Sequence, residues 1–298
     1  MQTFSVDVAR SAMSRSYLFV PGDSERKLAK ALEAGADSLI IDLEDSVTKS
    51  ELPRARKLTR EFLAGVRETV CWVRVNPLDG SDALDDLRAV IPGKPNGLVL
   101  PKPASAADVI RLSKLLDVLE QEHEIPIGST VIIPIVTERP EALFRLHEYA
   151  GSTTRLAGLA WGAEDLAAAV GAVANRDAGG EWLPPYQLAR SLCLFAASAA
   201  SVPAIDTVYT DFRNEAGLAA YAANARRDGF RGMLAIHPAQ IAVINAAFMP
   251  NNSEIERART IVQLFARNPA AGTLSLNGQM IDRPHLLQAQ KILQMARK

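Results

Sequence analysis

The chain is short of several things at once, and each shortage excludes a class of protein. Its 298 residues include two cysteines, Cys71 and Cys193. Two thiols cannot build a framework of several disulfides, which excludes a disulfide-stapled secreted scaffold. Both lie in apolar surroundings (TVCWV and LCLFAA), the pattern of buried thiols in a reducing cytoplasm. Neither sign of charge is in excess: 33 Lys+Arg stand against 34 Asp+Glu. That balance argues against a nucleic-acid surface or a polybasic membrane surface. The longest apolar run, 192–205, is interrupted by Ser198, Ser201 and Pro203. It falls short of the roughly 18–20 residues that span a bilayer. Residues 1–15 lack the apolar core of a secretory signal, so none is expected. There is no Cys/His cluster with zinc spacing, no evident Ser/His/Asp arrangement, and no short-period repeat.

What is there is a rhythm. The chain is 48% hydrophobic and 22% charged, enough to bury about three-quarters of its unfolded surface without staples. Short β-type runs alternate with segments of helical period. The runs are YLFV (17–20), SLIIDL (38–43), CWVRV (71–75), GLVL (97–100), TVIIPIV (130–136), LAGLAW (156–161), a weak one at 204–207, and MLAI (233–236). Apolar residues at helical spacing follow each of them, as in Leu28 and Leu32, or Val109, Leu112, Leu116 and Leu119. A helix is expected from Pro140 to Tyr149, with proline at a permitted first-turn position. Strand–helix alternation implies a parallel sheet. Eight units in about 235 residues predict an α/β fold of the (β/α)8 TIM-barrel type. The barrel is expected over 10–250. Residues 251–298 break the rhythm and read as a C-terminal helical extension.

Barrel enzymes carry their active sites at the C-terminal ends of the strands. The polar residues just past each strand are therefore candidates: Asp42, Glu44 and Asp45; Arg74 and Asn76; Lys102; Glu138; Glu164 and Asp165; His237. The set is rich in carboxylates, with one Arg and one Lys. Such a set suits a hard cation such as Mg2+, which takes one or two carboxylates plus substrate oxygens.

The segments RSYLFVPGD, LIIDLEDSV, VRVNPLDG, GLVLPK, IVTERPEAL, LAWGAEDLAAAVG and FRGMLAIHPAQIAVINAAFMP occur in that order. Together they resemble the citrate lyase β-subunit-like family, within the HpcH/HpaI aldolase superfamily that includes malyl-CoA and citramalyl-CoA lyases. The resemblance covers roughly residues 15–248, and the tail LSLNGQMIDRPHLLQAQKIL resembles the lid of the malyl-CoA and citramalyl-CoA lyases. It implies that Glu138 and Asp165 ligate Mg2+ (Mn2+ as the alternative), with Glu164 as the rival to Asp165. An acid at a helix N-terminus also serves as a plain cap, so that reading stands beside the metal role. Arg74 is implied to bind the substrate's carboxylate or thioester oxygen, a task that suits a planar, permanently charged fork. Asp42 and Glu44 join the catalytic set as the acids that orient it. Pro21, Gly22 and Asn76 read as loop-shaping residues near the substrate, Gly162, Ala163 and Glu164 are also expected around it, and Lys102 is implied to contact substrate or CoA phosphates. A Schiff-base role for Lys102 is the weaker reading. Asp282 is implied to act as general acid/base in a neighbouring subunit's site, with a pKa raised by burial. The competing reading is a helix N-cap before Arg283-Pro284.

The reaction so implied is cleavage of a 3-hydroxy-3-carboxyacyl-CoA to acetyl-CoA and a 2-oxo acid. A homo-oligomer is expected, a trimer by resemblance, with no nucleic-acid or membrane partner. Three other readings stay open: a citrate lyase β subunit acting on a carrier-bound citryl thioester, a free hydroxy-acid aldolase, and a malyl-CoA thioesterase.

Overall fold

The computed structural model describes residues 14–66 and 68–296. Positions 10–13 and 67 of the expected barrel, 10–250, lie outside them. Two compact units divide at Asn245 and Ala246.

The first unit is the alternation made solid. In chain order it contains β1 (Ser16–Pro21), α1 (Glu25–Leu32), β2 (Ser38–Asp42), α2 (Leu52–Gly65), β3 (Val70–Arg74), α3 (Ala83–Val90), β4 (Gly97–Leu100), α4 (Ala106–Glu122) and β5 (Val131–Pro134). After a 3₁₀ segment (Pro140–Tyr149) come β6 (Leu159–Ala160), α5 (Glu164–Ala169), α6 (Pro184–Ala199), β7 (Ala204–Asp206), α7 (Glu215–Asp228), β8 (Gly232–Ala235) and α8 (Gln240–Ala247), whose last two residues fall past the division. Every ladder is parallel, and the strand order is β5-β4-β3-β2-β1-β8-β7-β6. The two end strands meet. Val136 N–H donates to the Ala160 carbonyl at 2.8 Å, and Ala157 N–H to that of Ile132 at 2.9 Å. Parallel bridges Ile132–Leu156 and Ile135–Ala160 complete the seam. The eight strands therefore form the barrel that the alternation predicted.

Side chains point alternately in and out along a strand. The inward set, Tyr17, Ile40, Trp72, Val99, Ile133, Ile135, Ile205 and Leu234, makes one buried cluster. Gly97 leaves room inside it, because a Cβ there would collide with the Trp72 ring. The same period carries Ile40 to Asp42 and Trp72 to Arg74. Both polar residues thus face inward at the last rung, where the ladder pairs them directly.

The seam is clasped near the N-terminal end of β5. Arg155 donates to Glu120 at 2.9 and 2.6 Å and to the Thr130 carbonyl at 2.8 Å. Glu120 also accepts the N–H groups of Gly128 and Thr130. Burial resists the Glu120 charge, but Arg155 and these N–H donors outweigh it and hold its pKa below the usual range.

One element departs from expectation. Pro140–Tyr149 winds as a 3₁₀ helix, not an α-helix. Its apolar residues Pro140, Leu143, Leu146 and Tyr149 recur every third position, and side chains three apart eclipse at three residues per turn. Ala142 N–H accordingly bonds the Arg139 carbonyl, three residues back.

The second unit holds α9 (Asn252–Arg267), β9 (Thr273–Leu276), β10 (Gln279–Asp282) and α10 (Arg283–Met295). Between the two helices the chain forms a hairpin, turned by Asn277 and Gly278 at positive φ, the Asn-Gly signature of a tight turn. Ala258, Ile261, Phe265, Ile281 and Ala289 form its own small core. Among the described residues, no helix is long and apolar enough to cross a membrane.

Candidate active site

A cavity of about 360 Å³ opens among the C-terminal ends of the strands. One wall is apolar, made of Phe19, Ile135, Trp161, Val208, Leu234 and Ile236. The other carries Asp42, Asp45, Arg74, Glu138, Glu164 and Asp165. Among its described lining residues, five are acids and Arg74 is the one cation.

Arg74 is held as a fork. Its Nε and Nη2 donate to the two oxygens of Asp42 at 2.6 and 2.7 Å. Its Nη1 lies 2.9 Å from Glu44 Oε2 and 3.2 Å from Asp45 Oδ2. Its carbon centre sits 4.7 Å over the Phe19 ring, a cation–π contact. Burial opposes the guanidinium charge, but the three carboxylates override it, so Arg74 is cationic at every working pH. Asp42 accepts in addition the N–H groups of Glu44 and Ser46. Burial alone would raise its pKa; the Arg74 fork and these N–H donors bring it below the usual carboxylate value. A carboxylate so held orients Arg74 and does not donate protons near neutrality.

Lys102 links the acids. Its backbone takes φ 50°, which turns its N–H onto Glu138 Oε2 at 2.6 Å. Its Nζ bonds Glu44 at 2.5 Å and lies 3.2 Å from Asp165. Burial works against the ammonium, but Glu44, Glu138 and Asp165 hold it protonated. That opposes the Schiff-base reading, which needs a neutral amine.

Glu138 is 5% exposed. Burial, with Asp165 and Glu44 nearby and Lys102 opposing, pushes its pKa up to about 8. Burial likewise lifts Glu44 to about 7, against Arg74 and Lys102. Glu44 Oε2 is buried and accepts no hydrogen bond. Gly162 completes the cradle: a Cβ there would stand 2.9 Å from Glu138 Cγ and 3.1 Å from its Oε1. Its N–H and carbonyl are both tied to the Thr137 hydroxyl at 3.0 Å.

These carboxylates fit a hard divalent cation. No trio of His, Cys, Asp or Glu among the described residues forms an all-protein metal cage. Two carboxylates that leave the remaining positions to substrate and water are what Mg2+ uses. Glu138, buried and with Asp165 and Glu44 as well as Lys102 around it, has the chemistry of a ligand.

The other expected residues sort themselves by geometry. Pro21, Gly162, Ala163 and Glu164 line the cavity. Gly22 and Asn76, expected at the substrate, are not among its lining residues. Asn76 has its amide committed to the Leu43 carbonyl and Asp86 at 2.9 and 2.8 Å, so it shapes the loop after β3. Gly22 instead donates its N–H to the Asp42 carbonyl at 2.9 Å. His237 stacks on Phe212 at 4.6 Å, closing β8. Asp282 is the N-cap residue of α10, and its Oδ1 lies 2.5 Å from His285 Nδ1. Within this chain that contact holds its pKa below the usual value. Thr207 and Val208, lining residues after β7, were missed. Reading past strand seven as past the other strands would have found them.

An eight-stranded barrel with an acid-rich cavity at its strand ends defines the class, a barrel enzyme. The chain belongs to the HpcH/HpaI aldolase/citrate lyase family, whose model matches residues 15–238, and it is an enzyme of that lyase family. It is 34% identical over 300 residues to the citrate lyase subunit beta of Escherichia coli K12, covering 99% of this chain and 97% of that protein. It is 32% identical over 289 residues to a (3S)-malyl-CoA thioesterase of Cereibacter sphaeroides strain KD131, covering 95% and 94%. Among solved structures it resembles protein CitE of Mycobacterium tuberculosis in complex with magnesium, acetoacetate and coenzyme A. There the TM-score is 0.81 at 32% identity, covering 97% of this chain and 100% of that one.

Proposed function

We propose that the chain is a Mg2+-dependent carbon–carbon lyase that cleaves a 3-hydroxy-3-carboxyacyl-CoA, such as citramalyl-CoA or malyl-CoA, to acetyl-CoA and a 2-oxo acid. The observation that carries this reading is Glu138: a buried carboxylate beside Asp165, cradled by Gly162, on a cavity whose lining cation is Arg74. Glu138 and Asp165 would hold the Mg2+ (Mn2+ as the alternative). When bound, the cation supplies Lewis acidity and a template for a hydroxy acid's neighbouring oxygens. In the reaction the bond between the carbinol carbon and the thioester α-carbon breaks. Its electron pair passes to the thioester as an enolate, the hydroxyl loses its proton, and the α-carbon gains one. Arg74, locked by Asp42 and Glu44, faces the developing oxygen charge without needing to reorient, which is how a preorganised donor lowers a barrier. The apolar wall keeps water from the enolate.

Asp282 of a neighbouring subunit would deliver the proton to carbon, within a homo-oligomer, a trimer in this reading. In its own unit His285 lowers the Asp282 pKa, so the proton-donating form requires the burial that such an interface supplies. The two buried free thiols suit a reducing compartment, and the reading places the enzyme in the cytoplasm.

The lining also bears on the substrate. Beside the five acids on the wall, the site's two cations, Arg74 and Lys102, are already paired with carboxylates, so a further carboxylate on the 2-oxo acid would have to displace one of them, which favours pyruvate or glyoxylate over oxaloacetate as product. A thioesterase reading draws on the malyl-CoA thioesterase relative, and a citryl-carrier reading on the citrate lyase relative. Glu138→Ala tests the site. Mg2+-dependent release of the 2-oxo acid is expected to vanish, and full retained activity would end the ligand assignment.

A further inference from the structure

Past β6, the chain must present Asp165 to the cavity with little help from the sheet. The β6 ladder is two residues long, and its last bridge is at Ala160. The next three residues, Trp161, Gly162 and Ala163, lead straight to Glu164 and Asp165 in the first turn of α5. Two side-chain anchors hold this link. From the β5 side, the Thr137 hydroxyl takes the Gly162 N–H and donates to its carbonyl. From the β7 side, the anchor is a carboxylate that does not line the cavity, that of Asp206. Trp161 Nε1 donates to Asp206 Oδ1 at 2.6 Å.

Asp206 is fully buried, and everything around it fixes its position. Arg190 donates from Nε and Nη2 to Oδ2 at 3.1 and 2.8 Å. The Tyr221 hydroxyl donates to Oδ1 at 2.9 Å, and the Thr207 N–H does so at 2.8 Å. Trp161 is fully buried as well and meets Trp182 edge-on at 5.1 Å. An ion pair so enclosed is a costly device for stability alone, since a well-packed apolar replacement is often as stable. Its geometry joins two lining residues, Trp161 and Thr207, to a single buried carboxylate.

We infer that Asp206 is a positioning residue. Through the Trp161 indole it sets the Trp161–Asp165 link, and with it the place of Asp165 and of the Gly162 cradle around Glu138. The inference rests on reading Glu138 and Asp165 as the metal ligands. Partners that orient ligands typically carry about 10–100-fold in metal affinity.

The test is direct metal binding by the full chain, read as loss of the free Mn2+ signal in electron paramagnetic resonance, with a thermal melt of each variant. Asp206→Asn and Trp161→Phe break the bond from opposite sides, so one still reports if the other fails to fold. Each is expected to weaken Mn2+ binding about 10–100-fold. Tyr221→Phe removes a hydrogen bond from the same carboxylate oxygen, and the acceptor of the Trp182 indole, but leaves the Trp161–Asp206 bond in place. It is expected to lower the melting temperature and leave Mn2+ affinity within about twofold. A purely structural Asp206 would shift melting temperatures and leave affinity alone. Wild-type affinity in both Asp206→Asn and Trp161→Phe, with binding lost in Glu138→Ala, would overturn the positioning role and leave the ligand reading intact. Equal weakening by Tyr221→Phe would also overturn it. Unchanged binding in Glu138→Ala, or none in the wild type, would remove the ligand reading and this inference with it.

Discussion

Replacing Gly162 by alanine probes the cradle with one methyl group. The new Cβ would lie 2.9 Å from Glu138 Cγ, 3.1 Å from Glu138 Oε1 and 3.3 Å from Ile135 Cγ2. Carbon atoms in contact settle at about 3.5–4.0 Å, so Cγ must give by about 0.6–1.1 Å. Neither partner is free to do so. Glu138 is enclosed, with Oε2 on the Lys102 N–H at 2.6 Å, and Gly162 is pinned twice by Thr137. Overpacking of this size costs about 1–3 kcal/mol. Ligand positions in a metal site tolerate about 0.2 Å, so moving the carboxylate by half an ångström or more is expected to weaken binding at least about tenfold, which is about 1.4 kcal/mol. Calorimetric titration with Mg2+ gives the affinity, and melts with and without the cation give the stability. A Gly162→Ala variant that binds Mg2+ and melts like the wild type would refute the cradle and the ligand role of Glu138 together.

Three further outcomes follow from the same geometry. The Asp42 pKa is lowered in the folded chain, so its contribution is complete above the unfolded value of about 4 and is lost as pH falls through the folded value; Asp42→Asn should flatten that acid limb of stability and slow turnover by freeing Arg74, and an unchanged acid limb would contradict the fork. Arg155→Leu leaves Glu120, which has no exposed surface, as a buried unpaired charge; urea unfolding should show a loss of about 3–5 kcal/mol, and a loss under about 1 kcal/mol would mean the clasp does not hold the seam. Mixing inactive Asp282→Ala and Arg74→Ala subunits should restore part of the activity if sites are shared across an interface, and no recovery would argue against transfer in trans.

The barrel was legible because its signal is local and repeated. Strand runs such as SLIIDL and helical spacings such as Val109–Leu112–Leu116 each state their period within a few residues. Asp42, Arg74, Glu138 and Asp165 were legible because the fold fixes which strand ends face the cavity. The helix expected at Pro140–Tyr149 failed on period: apolar residues three apart fit the tighter winding. Asn76, expected as a loop-shaping residue near the substrate, ties the loop after β3 through its amide to Leu43 and Asp86. Lys102 shows how a left-handed backbone can aim an N–H at Glu138, and nothing in LPKP announces that φ. Asp206 was hidden because its partners Trp161, Arg190 and Tyr221 are spread over some sixty positions. Only the folded chain brings them to one carboxylate.

The most direct test of the central claim follows products from a panel of thioesters, citramalyl-CoA, malyl-CoA and citryl-CoA, with Mg2+ and with chelator, reading pyruvate, glyoxylate, oxaloacetate and free CoA separately. The account predicts Mg2+-dependent pyruvate or glyoxylate with acetyl-CoA, and little oxaloacetate. Free CoA released without a 2-oxo acid, or cleavage that persists in chelator, would contradict it.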